Sequence, residues 1–141
     1  MNLFQAASSL QGRQFAEQCD LLLRNCGFLL GSSRVVLSEL GVEVDRAATG
    51  PSGREIWFEY KGSVQGPRPG LMRTDTLKKA IANGALLRSV PDPRPRFVVL
   101  ASHVPKTGSG RAMLEAAVRL GYLDDVICVY DPSETTRLKS F

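Results

Sequence analysis

The sequence predicts an α/β domain: a central mixed β-sheet flanked by helices, in the order α-β-β-β-α-β-α-β. Three observations predict it. Residues 42–61 contain two strand-like runs joined by a Gly/Pro-rich turn, the pattern of a hairpin. Further on, two helix-like stretches each lead into a short apolar run, at 96–101 and 126–130, the rhythm of β-α-β units. A helical stretch at 11–26 precedes both. A hairpin followed by β-α-β crossovers gives a sheet with antiparallel and parallel pairs.

Each element has its own justification. In 11–26, Phe15, Cys19, Leu22, Leu23 and Cys26 recur at helical spacing, and Gly27 is the stop. Residues 28–30 begin a first strand, while 34–40 fits either a strand or a turn-like helix. A second strand is expected at 42–47, a turn at 49–53 and a third strand at 55–61. Residues 62–73, with three Gly and two Pro, read as a loop. The 74–87 segment reads as a helix that Thr74 or Asp75 can cap. Residues 91–95 form a rigid connector, 96–101 an apolar strand, 108–111 a Gly-rich turn, 111–120 a helix and 126–130 the last strand.

A chain of 141 residues suits one domain, with its core expected at about 11–131. No run of 18 or more apolar residues occurs, so no membrane span is expected. The start, MNLFQAASSLQGRQF, lacks the basic-then-apolar pattern of a signal peptide. Three cysteines without C-x-x-C or Cys/His spacing point to reduced thiols and a cytoplasmic location. Charge is uneven. Residues 46–111 carry twelve Arg/Lys against four Asp/Glu, whereas the remainder is net acidic. Arginine outnumbers lysine thirteen to five, and guanidinium forks suit phosphate oxygens. A basic middle third suits a polyanion held by its backbone; a solvated basic surface is the competing reading.

The chemistry gathers in GVEVDRAATGPSGREIWFEYKGS, residues 41–63. Strand alternation puts Glu59 and Lys61 on one face and Ile56, Phe58 and Tyr60 on the other, with Asp45 supplied by the partner strand. Two acids on rigid elements can hold a hard divalent cation, and an adjacent lysine can orient a water. The alternative is a cross-strand Asp45–Lys61 ion pair on a half-exposed sheet. Glu43, expected to share the Asp45 face, is a rival third acid or a structural residue. Trp57 falls on the Glu59 face, as packing or as a site wall.

Taken together, the helix with G-R-Q-F-A-E at 12–17, the strand V-E-V-D at 42–45 and F-E-Y-K at 58–61 resemble the PD-(D/E)xK nucleases, which share the restriction-endonuclease-like fold. The likeness is nearest to Holliday-junction resolvases and small restriction-type endonucleases, and runs from Gly12 to about Tyr130. No proline precedes Asp45, and the glutamine or tyrosine motif of some exonuclease members is absent after Lys61. The resemblance implies that Asp45, Glu59 and the Tyr60 backbone carbonyl hold Mg²⁺ or Mn²⁺. It also implies that Lys61 positions the attacking water and that Glu17 reaches the same site, directly or through a metal-bound water. Asp20, one turn from Glu17, is an alternative.

Directly downstream, Ser63, Gln65, Arg68, Arg73, Thr74, Lys78 and Lys79 can grip DNA phosphates near a helix N-terminus. The 108–111 turn lacks the G-K-[S/T] of a nucleotide-binding loop and reads as a β-α connection or a further backbone contact. His103 has no part in an E-x-K mechanism. The expected activity is metal-dependent DNA endonuclease chemistry; a non-catalytic nucleic-acid-binding or accessory module on the same fold is the alternative, and a structural α/β protein a third. A homodimer would supply two sites for two strands, and a protein partner could supply specificity in so small a domain.

Overall fold

The computed structural model describes residues 3–62 and 69–141, with side chains from residue 13 onward. Helix α1 (Leu3–Asn25) begins earlier than its amphipathic pattern suggests. Phe15, Cys19 and Leu23 form its buried stripe. Gly27, at φ 91°, ends it, with Phe28 N–H donating to Leu23 C=O and Gly27 N–H to Arg24 C=O. That paired closure satisfies carbonyls the helix end leaves open.

Strand β1 (Leu29–Leu30) follows, then β2 (Val35–Leu37) and β3 (Val42–Val44), which form a separate antiparallel ribbon. The ambiguous 34–40 segment is therefore a short strand and a turn. Strands β4 (Arg46–Thr49) and β5 (Glu55–Lys61) form the hairpin. The single strand expected at 42–47 is thus two strands, broken at Asp45. The reason lies in the faces: Val44 and Ala48 have the same parity yet enter different cores, so the alternation must break between them.

Helix α2 (Thr74–Leu87), β6 (Arg96–Ala101), α3 (Gly108–Arg119) and β7 (Asp125–Cys128) follow, then a short α4 (Pro132–Thr135) and a 3₁₀ turn (Thr136–Ser140). The main sheet runs β1-β4-β5-β6-β7, antiparallel across its first two pairs and parallel across the last two. The expected mixed sheet flanked by helices is present, with two more short strands than the expected order. Arg73, not Thr74 or Asp75, occupies the α2 cap position, without a side-chain cap bond. The Gly-rich 108–111 segment is the first turn of α3 rather than a connection.

Two cores sandwich the sheet. On one face, α1 and the C-terminal turn bring Phe15, Cys19, Leu23 and Leu138 against Ile56, Phe58, Val98, Leu100 and Ile127. On the other, α2 and α3 bring Leu77, Ala80, Leu87, Leu114 and Ala117 against Phe97, Val99, Ala101 and Val126. Each fully buried Leu, Ile or Phe contributes about 1.5–3 kcal/mol. Leu138 is 0% exposed, so the packed core continues past residue 131. Gly84 lets α2 lie flush on the chain after α3: an added Cβ would stand 2.1 Å from the Tyr122 carbonyl oxygen. Among the described residues, no helix is long and apolar enough to cross a membrane.

Candidate functional site

Strand β5 carries the site because its two faces meet different cores. Ile56 and Phe58 are buried under α1, and Trp57 packs on the α2 side as part of the core wall. The Trp57 indole N–H donates to Glu55 Oε1 at 2.9 Å. Glu59 follows Trp57 on the α2 side and is buried, 4% exposed. Asn83 of α2 donates to its Oε1 at 3.0 Å, and Lys61 Nζ stands 3.4 Å from the same oxygen. Glu59 Oε2 is buried without a hydrogen-bond partner among the described residues. Burial pushes the Glu59 pKa up, against the lowering effects of Lys61 and Asn83, and Asp45 pushes it further up.

Asp45 lies at the bend between β3 and β4. The hairpin register ends with Arg46 paired with Phe58. The ladder slips there: Asp45 N–H donates to Phe58 C=O, and Asp45 Oδ2 accepts the Tyr60 N–H at 2.7 Å. A carboxylate thus replaces a backbone acceptor at the end of the ladder. Strand N–H and C=O groups of one residue point to the same edge, so the Tyr60 carbonyl shares the Asp45 side of β5. The next residue faces the other way, Lys61 C=O accepting from Ser102 N–H at 3.1 Å. Partial desolvation raises the Asp45 pKa and nearby Glu43 adds to the rise, while the Tyr60 N–H and Lys61 lower it.

The opposite face of β5 is bolted to α1. Arg46 grips Asp20 with Nη2 at 2.7 Å and Nε at 3.2 Å, and donates Nη1 to Gly31 C=O at 2.8 Å. Tyr60 donates its hydroxyl to Asp20 Oδ1 at 2.6 Å. Burial, then the bond to Asp20, drive the Tyr60 pKa upward, so the phenol stays protonated. A cavity of about 250 Å³ lies here, lined by Asp20, Asp45, Arg46, Tyr60 and Gly62 among others. Gly62 is required by close approach: a Cβ would fall 2.2 Å from the Phe15 ring.

The structure brings Asp45, Glu59, Tyr60 and Lys61 to one end of β5. Glu17 is exposed and is not among the residues that line the cavity, whereas Asp20 is the α1 acid that lines it. Glu43 is exposed and paired with Arg34 across the β2–β3 ribbon, close enough to Asp45 to act on its charge. Arg73, Thr74, Lys78 and Lys79 are exposed at the start of α2. Lys79 shares a helical row with Asn83, whereas Lys78 lies on the neighbouring row. Ser63, Gln65 and Arg68 lie outside the described residues. Sequence reasoning missed Asn83, although a polar residue three positions after Ala80, on the rim of an apolar stripe, was the available signal. It also missed Arg46, whose partner is 26 residues away.

Among the described residues, no group of three or more His, Cys, Asp and Glu side chains is placed to hold a metal ion. Two carboxylates and a carbonyl nevertheless suit Mg²⁺, which keeps several waters and needs only one or two protein carboxylates. The unpartnered, buried Glu59 Oε2 fits a cation, because a bare carboxylate oxygen in a dry environment is otherwise costly. Of the three free cysteines, Cys19 is buried in the α1 face, and its pKa is raised by that burial and by nearby Asp20 and Asp45. No protein-family model matches the chain, nor does any curated protein or solved structure.

Proposed function

We propose that this chain is a metal-dependent DNA endonuclease with a restriction-endonuclease-like fold. The observation that carries the reading is Glu59, buried on β5 and within electrostatic reach of Asp45, with Lys61 Nζ 3.4 Å from one of its oxygens and the other oxygen buried and unpartnered among the described residues. Support for the fold comes from a hairpin continued by two parallel strands with α2 and α3 on one face.

In this reading Asp45, Glu59 and the Tyr60 carbonyl hold Mg²⁺ or Mn²⁺. The ion would supply charge neutralisation at the phosphate and a water made more acidic. Asn83 fixes one Glu59 oxygen and leaves the other for the cation. Lys61 orients the attacking water and stabilises negative charge developing on the phosphoryl oxygens. Arg73 and Lys79, exposed along the start of α2, hold the flanking phosphates, with Lys78 farther round the helix. Tyr60, held by Asp20, keeps its backbone and therefore its carbonyl in place.

A second reading, a nucleic-acid-binding or accessory module, is favoured by the absence of a third site acid among the described residues. One experiment separates the two. Purified protein is incubated with supercoiled, linear, single-stranded and four-way-junction DNA in Mg²⁺, Mn²⁺ or EDTA, with binding followed in parallel. Cleavage in either metal but not in EDTA supports the nuclease. Tight binding in EDTA with no cleavage in any metal favours the module.

A further inference from the structure

Outside the candidate catalytic site, a cavity of about 660 Å³ lies beyond the carboxyl ends of β6 and β7. It opens between the segment leading into α3 and the segment leading into α4, where open α/β sheets most often bind ligands. It adjoins the β5 end through its own lining: Ser102, whose N–H donates to Lys61 C=O at 3.1 Å, is one of its walls.

The lining divides by chemistry. Met72 and Val104 supply an apolar surface, and Lys106 and Arg111 supply cations. Tyr130 forms an aromatic wall that is 56% exposed. Its ring is held at both ends: the hydroxyl donates to Gln18 Oε1 at 2.7 Å, and the ring meets Phe15 edge-on at 6.4 Å. An exposed aromatic that is already immobilised loses little entropy when a planar group stacks on it. The two acids in the lining are engaged at the start of α4, and Asp131 also interacts electrostatically with Lys106. Asp131 caps α4, accepting from Ser133 N–H at 2.9 Å, and Glu134 Oε1 accepts from Cys128 N–H at 3.1 Å. Arg111 is bonded to Glu115 through Nε at 2.8 Å, and Lys106 has no ion pair within 4 Å among the described residues.

We propose that this cavity receives one unstacked nucleotide of a single-stranded DNA segment, its base on Tyr130 and its phosphate on Lys106 and Arg111. The choice of DNA rests on the nuclease reading. The volume suits one nucleotide, and a base stack beside a pair of cations recognises both halves of that unit. The substrate class becomes DNA with an unpaired nucleotide next to the bond cut, such as a branched or frayed end, rather than uninterrupted duplex.

The test is fluorescence-anisotropy titration in EDTA, where no cleavage occurs, with a labelled single-stranded oligodeoxynucleotide, the matching blunt duplex and a deoxynucleoside monophosphate as competitor. The expected result is tighter binding of the single strand than of the duplex. Tyr130→Ala and Lys106→Ala each weaken single-strand binding about tenfold and leave duplex binding unchanged. Tyr130→Phe, which keeps the ring, retains single-strand binding and controls for misfolding. Equal affinity for both DNAs, equal losses on both, or no loss in Tyr130→Ala would overturn the proposal. So would monophosphate binding as tight as the oligonucleotide, which makes this a free-nucleotide site. Single-strand binding that depends on Tyr130 upholds the pocket even when Mg²⁺ gives no cleavage, so the two readings fail separately.

Discussion

Asn83 Nδ2 donates to Glu59 Oε1 at 3.0 Å, while Glu59 Oε2 on the same buried carboxylate has no partner among the described residues. Helix α2 thereby sets which oxygen of the acid is used up and which is left open. Removing Asn83 takes away a donor that lowers the Glu59 pKa. Asn83→Ala is expected to raise that pKa, moving the acid limb of the pH–rate profile to higher pH and weakening Mg²⁺ binding. Restoration of the wild-type profile by Asn83→Gln would support a positioning role; an unchanged acid limb in Asn83→Ala would argue that the bond is structural.

The raised Glu59 pKa also fixes a pH dependence of stability. A carboxyl group whose folded pKa lies above its unfolded value binds its proton more tightly when folded. Its contribution is present in acid and is lost as pH rises from the ordinary glutamate range through the raised folded value. Glu59→Gln, which mimics the protonated acid and can still bond Asn83, is expected to be more stable than wild type above that window by about 1–2 kcal/mol. The difference should vanish in acid, as read by urea midpoints across pH. Added Mg²⁺ should stabilise wild type and leave Glu59→Gln nearly unmoved, since only a state that binds the ion gains from it.

The Asp20–Arg46–Tyr60 cluster bolts the hairpin to α1. Arg46→Ala removes both guanidinium bonds to a carboxylate whose side chain is 16% exposed, and should cost about 3 kcal/mol. Tyr60→Phe removes a single bond and leaves Asp20 on Arg46, for a loss of about 1 kcal/mol. Denaturant unfolding of the two variants checks the ranking.

Gly84 gives a test in which two effects oppose. Within a helix, Gly→Ala normally gains about 1 kcal/mol. Here the new Cβ would lie 2.1 Å from the Tyr122 carbonyl oxygen and 3.0 Å from Leu123. Overpacking against backbone should win, so Gly84→Ala is expected to destabilise by about 1–3 kcal/mol in thermal or urea unfolding.

Strands β5 and β6 and helix α2 were legible because each is written in local periodicity. Glu55–Lys61, Thr74–Leu87 and Arg96–Ala101 were read with their observed ends. The break at Asp45 was not legible, since it depends on Val44 and Ala48 entering different cores, a tertiary fact. The same limit explains the α1 acid. Glu17 and Asp20 are both compatible with a helix, and only the docking angle of α1 brings Asp20 to Arg46 and Tyr60. Leu138 was missed because a single leucine in a polar tail has no periodic context until the chain folds back. Asp45, Glu59 and Lys61 were visible as a spacing, whereas Asn83 entered only with the packing of α2.

The central claim is that Asp45, Glu59 and Lys61 act together on a phosphodiester in the presence of a divalent cation. The most direct measurement is the rate of supercoiled-plasmid nicking in Mg²⁺ and in EDTA for wild type, Asp45→Ala and Lys61→Ala, with each variant shown to be folded by circular dichroism. The predicted result is metal-dependent nicking that Asp45→Ala abolishes and Lys61→Ala slows by about 10²–10³-fold. Nicking that continues at the wild-type rate in both variants, or in EDTA, would contradict it.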